Sequence, residues 1–240
     1  MNSLSRRPRA AICDFDGTIA ESMRVWTDAP RDLIISHGAT PPDNLLELIA
    51  PMVMEDTMEW IHDNFIPDSD VDALTEELYQ TIRRMYAHEV QPKPGALDAL
   101  RRMKDAGMRL CILSATGSDM VRSALERFGV LDLFEFVACS DDWGGKTHER
   151  CFLAAADKLG VRPDEAIVFE DALHAARTAK AAGDYLDVST GGVLLGTETL
   201  DAAGEHILEE IVRAANGRAT RGETMRYPEP FEVFFEGPFI

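Results

Sequence analysis

The sequence predicts an α/β fold, a parallel sheet flanked by helices with an all-helical insertion after the first strand. Short apolar runs such as Ala10–Cys13, Arg109–Leu113 and Ala166–Phe169 are too continuous to leave one face wet, so they read as strands covered on both sides. Beyond Pro92-Lys93-Pro94-Gly95 these runs alternate with helical patterns, which is the signature of crossover connections in a parallel sheet. Between Glu21 and His88 the apolar positions recur only at helical spacing, without a clear strand.

The elements follow in order. Residues 10–13 form a short buried strand. Met23, Trp26, Ala29 and Leu33, then Leu74, Leu78, Ile82 and Met85, mark helices in a segment punctuated by Pro41-Pro42, Pro51 and Pro67, consistent with four helices packed on one another. A helix from Ala96 to Ala106 stops at Gly107, and the strand Arg109–Leu113 follows. Ser118 opens a helix with Val121, Ala124, Leu125 and Phe128 inward and Gly129 at its close. Phe134–Cys139 is the next strand, Thr147 is placed to cap a helix running to Leu159, and Ala166–Phe169 is again a strand. A helix from Ala172 to Ala182 ends at Gly183, and Tyr185–Val188 is expected to be a last strand. The expected division is residues 1–20 with 91–240 as the α/β core and 21–90 as the helical insertion.

Charge narrows the function. Of 240 residues, 24 are basic and 42 acidic, for a net charge of −18, and no basic run exceeds pairs such as Arg83-Arg84 and Arg101-Arg102. A partner read through a nucleic-acid backbone needs a basic footprint that is missing here. No apolar run reaches the roughly 20 residues that span a bilayer. The basic start Met1–Arg9 runs directly into the first strand and does not read as a signal peptide. Cys13, Cys111, Cys139 and Cys151 lack metal-knuckle or Cys-x-x-Cys spacing, which points to thiols in a reducing cytoplasm. Monomer and weak homodimer are not distinguished.

Parallel sheets bind ligands at the carboxyl ends of their strands. The polar residues at those ends are Asp14 and Asp16, Ser114, and Glu170-Asp171, with Lys146 in the loop Asp141–Lys146 ahead of a helix. Carboxylates clustered on one rim repel one another unless they share a cation, and hard oxygen ligands select Mg²⁺. Asp14 is placed to attack phosphorus as a nucleophile. Asp16, two residues on, has a backbone carbonyl available to the metal and a side chain for acid-base work. Asp171 is the expected remaining metal ligand, with Glu170 beside it. Gly17, with Thr18 next to it, would turn the chain and present amides to phosphate. Ser114 and Lys146 would hold the other phosphoryl oxygens.

These motifs resemble the haloacid dehalogenase-like hydrolase superfamily, and within it the phosphatase and phosphosugar mutase group with a helical cap. The first motif stands as Asp14-Phe15-Asp16-Gly17-Thr18, the second as Ser114 with Ala115-Thr116, the third as Lys146 and the fourth as Glu170-Asp171 before a helix ending Ala181-Ala182-Gly183. The resemblance covers residues 10 to about 190. It implies a Rossmann-like core, an aspartyl-phosphate on Asp14, phosphate binding by Gly17, Thr18, Ser114, Ala115 and Lys146, and Mg²⁺ on Asp14, Asp16, Glu170 and Asp171. It also implies a small phosphorylated metabolite as substrate. Hydrolysis is the favoured reaction, a β-phosphoglucomutase-like transfer with the same aspartate pair is the alternative, and an inactive binding module is a minor one.

Two departures from the family pattern stand out. Lys146 is followed by Thr147-His148-Glu149 where the group commonly has proline, and Glu170-Asp171 is followed by Ala172 where it commonly has serine. His62, His148 and His174 read as surface or helix residues. Trp26, Trp60, Met52, Met54 and Met58 read as packing in the insertion or against the core, while Trp143 either lines the cleft or packs. Contacts to the leaving group are sought among Glu21, Ser22, Arg24 and residues 50–55. The aromatic stretch 217–240 is expected to pack on the core or a partner.

Overall fold

The computed structural model describes residues 9–49, 52–184 and 193–194. The described residues divide into two compact units, one made of those up to Glu21 and from Gln91, the other of those within Ser22–Val90. The expected strand Tyr185–Val188 and the aromatic stretch 217–240 lie outside the described residues.

The core unit is built on a five-stranded sheet of β1 (Ala10–Cys13), β4 (Arg109–Ser114), β5 (Phe134–Cys139), β6 (Ala166–Glu170) and β7 (Val193–Leu194). Its order is β5-β4-β1-β6-β7 and every pairing is parallel. β1 sits in the middle, where Cys13 pairs with Ile112 on one side and Phe169 on the other. From β1 the sheet first grows toward β4 and β5 and then, with β6, on the opposite side. The strand ends flanking β1 therefore form the switch point at which such sheets bind ligands.

Alternation along each strand sorts side chains to two faces. Ala10 and Ile12 of β1 and Cys111 and Leu113 of β4 join Cys151, Phe152 and Ala155 of α7 (Glu149–Lys158), Leu159 just after it, and Ala175, Ala179 and Ala182 of α8 (Leu173–Asp184) in one apolar cluster. The opposite register, with Ala11, Leu110 and Ile112, is equally buried. The remaining core helices are α5 (Ala96–Asp105), with Leu100 and Met103 inward, and α6 (Ser118–Phe128), with Val121, Ala124 and Leu125 inward. Gly129 closes α6 in the left-handed conformation, φ 66°, as expected of a glycine just past a helix end.

Among its described residues the second unit holds four helices, α1 (Val25–Ser36), α2 (Leu45–Ile49), α3 (Met54–Phe65) and α4 (Val71–His88). Asp70 caps α4 by accepting a 2.9 Å hydrogen bond from the Ala73 amide. Leu74, Leu78, Ile82 and Met85 are buried, as their spacing predicts.

Several sequence expectations need correcting. The segment after residue 19 contains a strand: β2 (Ala20–Glu21) pairs antiparallel with β3 (Gln91–Pro92), so Glu21 belongs to the core unit and the insertion begins at Ser22. Met23 precedes α1 and is 57% exposed, so the buried stripe of α1 starts at Val25 and includes Pro30. Thr147 does not cap α7, whose cap position is His148. α8 runs through Gly183 to Asp184, so that glycine does not end it. Ile12, at 2% exposure in the central strand, leaves a cavity if truncated. Ile12→Ala is expected to cost about 2–5 kcal/mol in chemical denaturation, whereas Met23→Ala should stay within about 0.5 kcal/mol of the parent.

Candidate active site

The site grows out of the turn that ends β1. The Asp14 amide donates to the Phe169 carbonyl at 2.9 Å, which continues the β1–β6 ladder one residue beyond the strand. Phe15 is fully buried and its ring stacks on Phe128 at the end of α6, with centroids 6.3 Å apart. The Ile19 and Ala20 amides both donate to the Phe15 carbonyl, closing a compact turn around Asp16 and Gly17. Gly17 has φ 77°, and a Cβ placed there would lie 1.9 Å from Asp171 Oδ2. A glycine is needed both for the left-handed backbone and for the room that the Asp171 carboxylate occupies. Its amide donates to the Ala20 carbonyl at 2.9 Å, which closes the tight turn expected of it.

Three separated segments supply the charged groups. Lys146 Nζ donates to Asp14 Oδ1 and, at 2.7 Å, to Glu170 Oε2. Glu170 Oε1 accepts from the Ala172 amide at 3.2 Å, so each oxygen of this buried carboxylate has a donor. Carboxylate oxygens of Asp14, Glu170 and Asp171 lie within 4.8 Å of one another. The Asp16 carboxylate stands outside this trio and accepts a 3.1 Å hydrogen bond from Ser114 Oγ. Ser114 Oγ in turn accepts from the Thr116 amide at 3.0 Å, which fixes the hydroxyl so that its proton points at Asp16. Ala115 is exposed at the end of β4. Thr18 is buried, and its hydroxyl finds no hydrogen-bond partner among the described residues.

The charge balance is uneven: the Lys146 ammonium is hydrogen-bonded to two of three clustered carboxylates, Asp14 and Glu170. Burial, reinforced by Glu170 and Asp16, pushes the Asp14 carboxyl up to about 7 despite the Lys146 ammonium. Burial and the Asp14 charge push Asp171 up to about 6, and burial raises Glu170. Lys146 is also held above its ordinary value, because Asp14 and Glu170 outweigh the effect of its own burial. Burial is the main cause for all three carboxyls, and repulsion among them adds to it. An all-oxygen donor set with surplus negative charge fits a hard divalent cation such as Mg²⁺.

Sequence reasoning missed Lys93. It is 7% exposed, its amide donates to the Ile19 carbonyl at 2.8 Å beside the β2–β3 ribbon, and its charge acts on Asp171 and Glu21. Burial lowers its ammonium from the ordinary lysine range. The only signal in the chain was its place inside Pro92-Lys93-Pro94, where the chain re-enters the core. Trp143 packs: its ring meets Phe136 edge to face with centroids 6.2 Å apart.

Raised carboxyl values mean that the folded protein binds protons more tightly here than the unfolded chain, whose aspartates titrate near pH 4. Stability contributed by Asp14 and Asp171 therefore falls as pH rises from that region through about 6 to about 7. Thermal melts with and without Mg²⁺ are expected to show a larger stabilising increment at pH 8 than at pH 5. An increment that is equal at both, or absent, contradicts the charge balance described.

A family model for haloacid dehalogenase-like hydrolases matches residues 8–183. A validoxylamine A 7'-phosphate phosphatase from Streptomyces hygroscopicus subsp. limoneus is 29% identical over 180 residues, 74% of this chain and 83% of that protein. A phosphorylated carbohydrates phosphatase from Thermotoga maritima is 24% identical over 178 residues, 72% of this chain and 81% of its own length. Among solved structures, a β-phosphoglucomutase from Clostridium difficile shares the fold with a TM-score of 0.60 at 21% identity, covering 85% of this chain and 97% of that one. The aspartate-bearing turn after the first strand and the match across the described core agree: the chain belongs to the haloacid dehalogenase-like hydrolases.

Proposed function

We propose that the protein is a Mg²⁺-dependent phosphomonoester hydrolase acting on a small phosphorylated metabolite through a phosphoaspartate at Asp14. The observation that supports this reading best is the shared ammonium of Lys146, which orients a buried carboxylate at the end of β1 beside a cluster suited to a divalent cation. Asp14, Glu170 and Asp171, with the backbone carbonyl of Asp16, would hold Mg²⁺, which when bound would offset phosphate charge.

In the first half-reaction an Asp14 carboxylate oxygen bonds to phosphorus, the bond to the substrate's ester oxygen breaks, and Asp16 gives its proton to that leaving oxygen. In the second, Asp16 takes a proton from water, the water oxygen bonds to phosphorus, and the bond to Asp14 breaks. Inorganic phosphate and the starting carboxylate result, and protons balance over the cycle. Ser114, hydrogen-bonded to Asp16, would steady the acid-base group. Lys146, Ser114 and the Ala115 end of β4 would meet the non-bridging oxygens of the transferring phosphoryl group. Relatives named for phosphorylated carbohydrates support the metabolite class. The acidic composition and the absence, among the described residues, of a helix long and apolar enough to cross a membrane fit a small-molecule substrate and give no support to nucleic acid or lipid.

Mutase chemistry is the second reading, because Ser114-Ala115-Thr116 resembles the Ser-Ala-Ser form of some hexose-phosphate mutases and the same aspartate pair would serve it. Hexose 1-phosphates assayed with and without a bisphosphate primer separate the two: hydrolysis predicts free phosphate in excess of isomerised product. Asp14→Asn is expected to abolish turnover of an aryl phosphate. Asp16→Ala should lower kcat by about 100-fold or more with Mg²⁺ binding largely retained. An Asp16→Ala enzyme within about twofold of the parent removes the acid-base role.

A further inference from the structure

Lys146 sits at the end of a loop that has little intrinsic stiffness. Gly144 and Gly145 stand in succession in the left-handed region, with φ 94° and 80°, and added Cβ atoms there would meet nothing closer than 3.7 Å. Thr147, not proline, follows the lysine. Backbone hydrogen bonds around the two glycines are few: the Gly144 amide donates to Asp141 at 3.1 Å, the Gly145 amide to Ser140 at 2.9 Å, and the Gly145 carbonyl accepts from the His148 amide at 3.2 Å. Two glycines gain much conformational freedom when such a turn opens, so a side-chain anchor is needed to keep the lysine placed.

That anchor lies on the far side of the glycines. Trp143, the last residue of the 3₁₀ turn Ser140–Trp143, sets its ring against Phe136 of β5. The Lys158 ammonium, from the last residue of α7, lies 4.3 Å from the Phe136 centroid and 5.6 Å from that of Trp143. Both distances are within the range of cation–π attraction. Phe136 and Trp143 are partly buried and pack on the cluster that contains Cys151, Phe152 and Ala155 of α7. The loop is thus pinned to the strand before it and to the helix after it.

We propose that Trp143, Phe136 and Lys158 form a positioning clamp that sets the loop so that the Lys146 ammonium meets Asp14 and Glu170. Trp143 contributes to turnover through Lys146 and touches no reacting atom. This rests on the hydrolase reading for its kinetic arm, and hydrogen exchange tests the clamp independently of any activity.

Trp143→Ala is expected to lower kcat by about tenfold, since small misplacements of reacting groups carry penalties of this order, with KM within about twofold. In a Lys146→Met background the same substitution should change residual kcat by less than about twofold, the non-additivity expected of residues acting as a unit. Lys158→Arg keeps the cation and should match the parent, while Lys158→Met should share part of the loss. Amides of residues 144–148 should exchange faster in Trp143→Ala even in a protein with no turnover, with those of β1 unchanged. Equal losses from Trp143→Ala in both backgrounds, parent-like turnover, or unchanged exchange at 144–148 overturns the clamp. If the parent hydrolyses no phosphomonoester, the hydrolase reading fails and the exchange data alone decide the clamp.

Discussion

One buried charge organises the active end of this molecule: the Lys146 ammonium, shared between Asp14 and Glu170. Those carboxylates come from the ends of adjacent parallel strands, with Cys13 opposite Phe169 in the register, so the sheet itself forces them together. Without a cation between them the strand ends would carry two desolvated like charges, and breaking a buried pair of this kind typically costs about 3–5 kcal/mol. One ammonium does not neutralise the cluster, because Asp171 adds a third carboxylate. Burial raises every carboxyl in the group, and the residual negative charge makes the rim a place for a divalent ion.

The geometry of the nucleophile's turn follows from the same crowding. Asp171 comes so near the chain at residue 17 that no side chain is tolerated there, and the left-handed backbone that glycine permits swings the turn back toward Ala20. Phe15, between the two aspartates, points the other way and is locked on Phe128. Alternation thus sends the two carboxylates to the rim and the aromatic ring into the core. A single tripeptide, Asp14-Phe15-Asp16, thereby ties chemistry to packing.

Much of this was legible in the sequence because it is periodic or punctuated. The parallel strands announced themselves as apolar runs, and their order placed Asp14, Ser114 and Glu170 on one rim. What the sequence hid is short or aperiodic. The β2–β3 ribbon consists of Ala20-Glu21 and Gln91-Pro92, too few residues to show alternation. The start of α7 at Glu149 left no side-chain cap to detect, since His148 occupies the cap position without one. Gly183 falls inside α8, one residue before its last described position, because a glycine lowers helix propensity without forbidding the helix. At the site, the residue types were readable but not their pairings: Asp16 with Ser114, Glu170 with Lys146, and the Gly17 amide within its own turn are consequences of three-dimensional crowding. Lys93 escaped notice because a lysine between prolines looks like a solvated loop residue.

The central claim is that Asp14 carries the phosphoryl group. Rapid quenching of the parent enzyme with saturating substrate and Mg²⁺, followed by mass spectrometry of the peptide spanning residues 10–24, tests it most directly. The account predicts a transient phosphoryl adduct on Asp14 that forms and decays within the turnover time. Phosphate released with no adduct on that peptide, or an adduct on another residue, would contradict it.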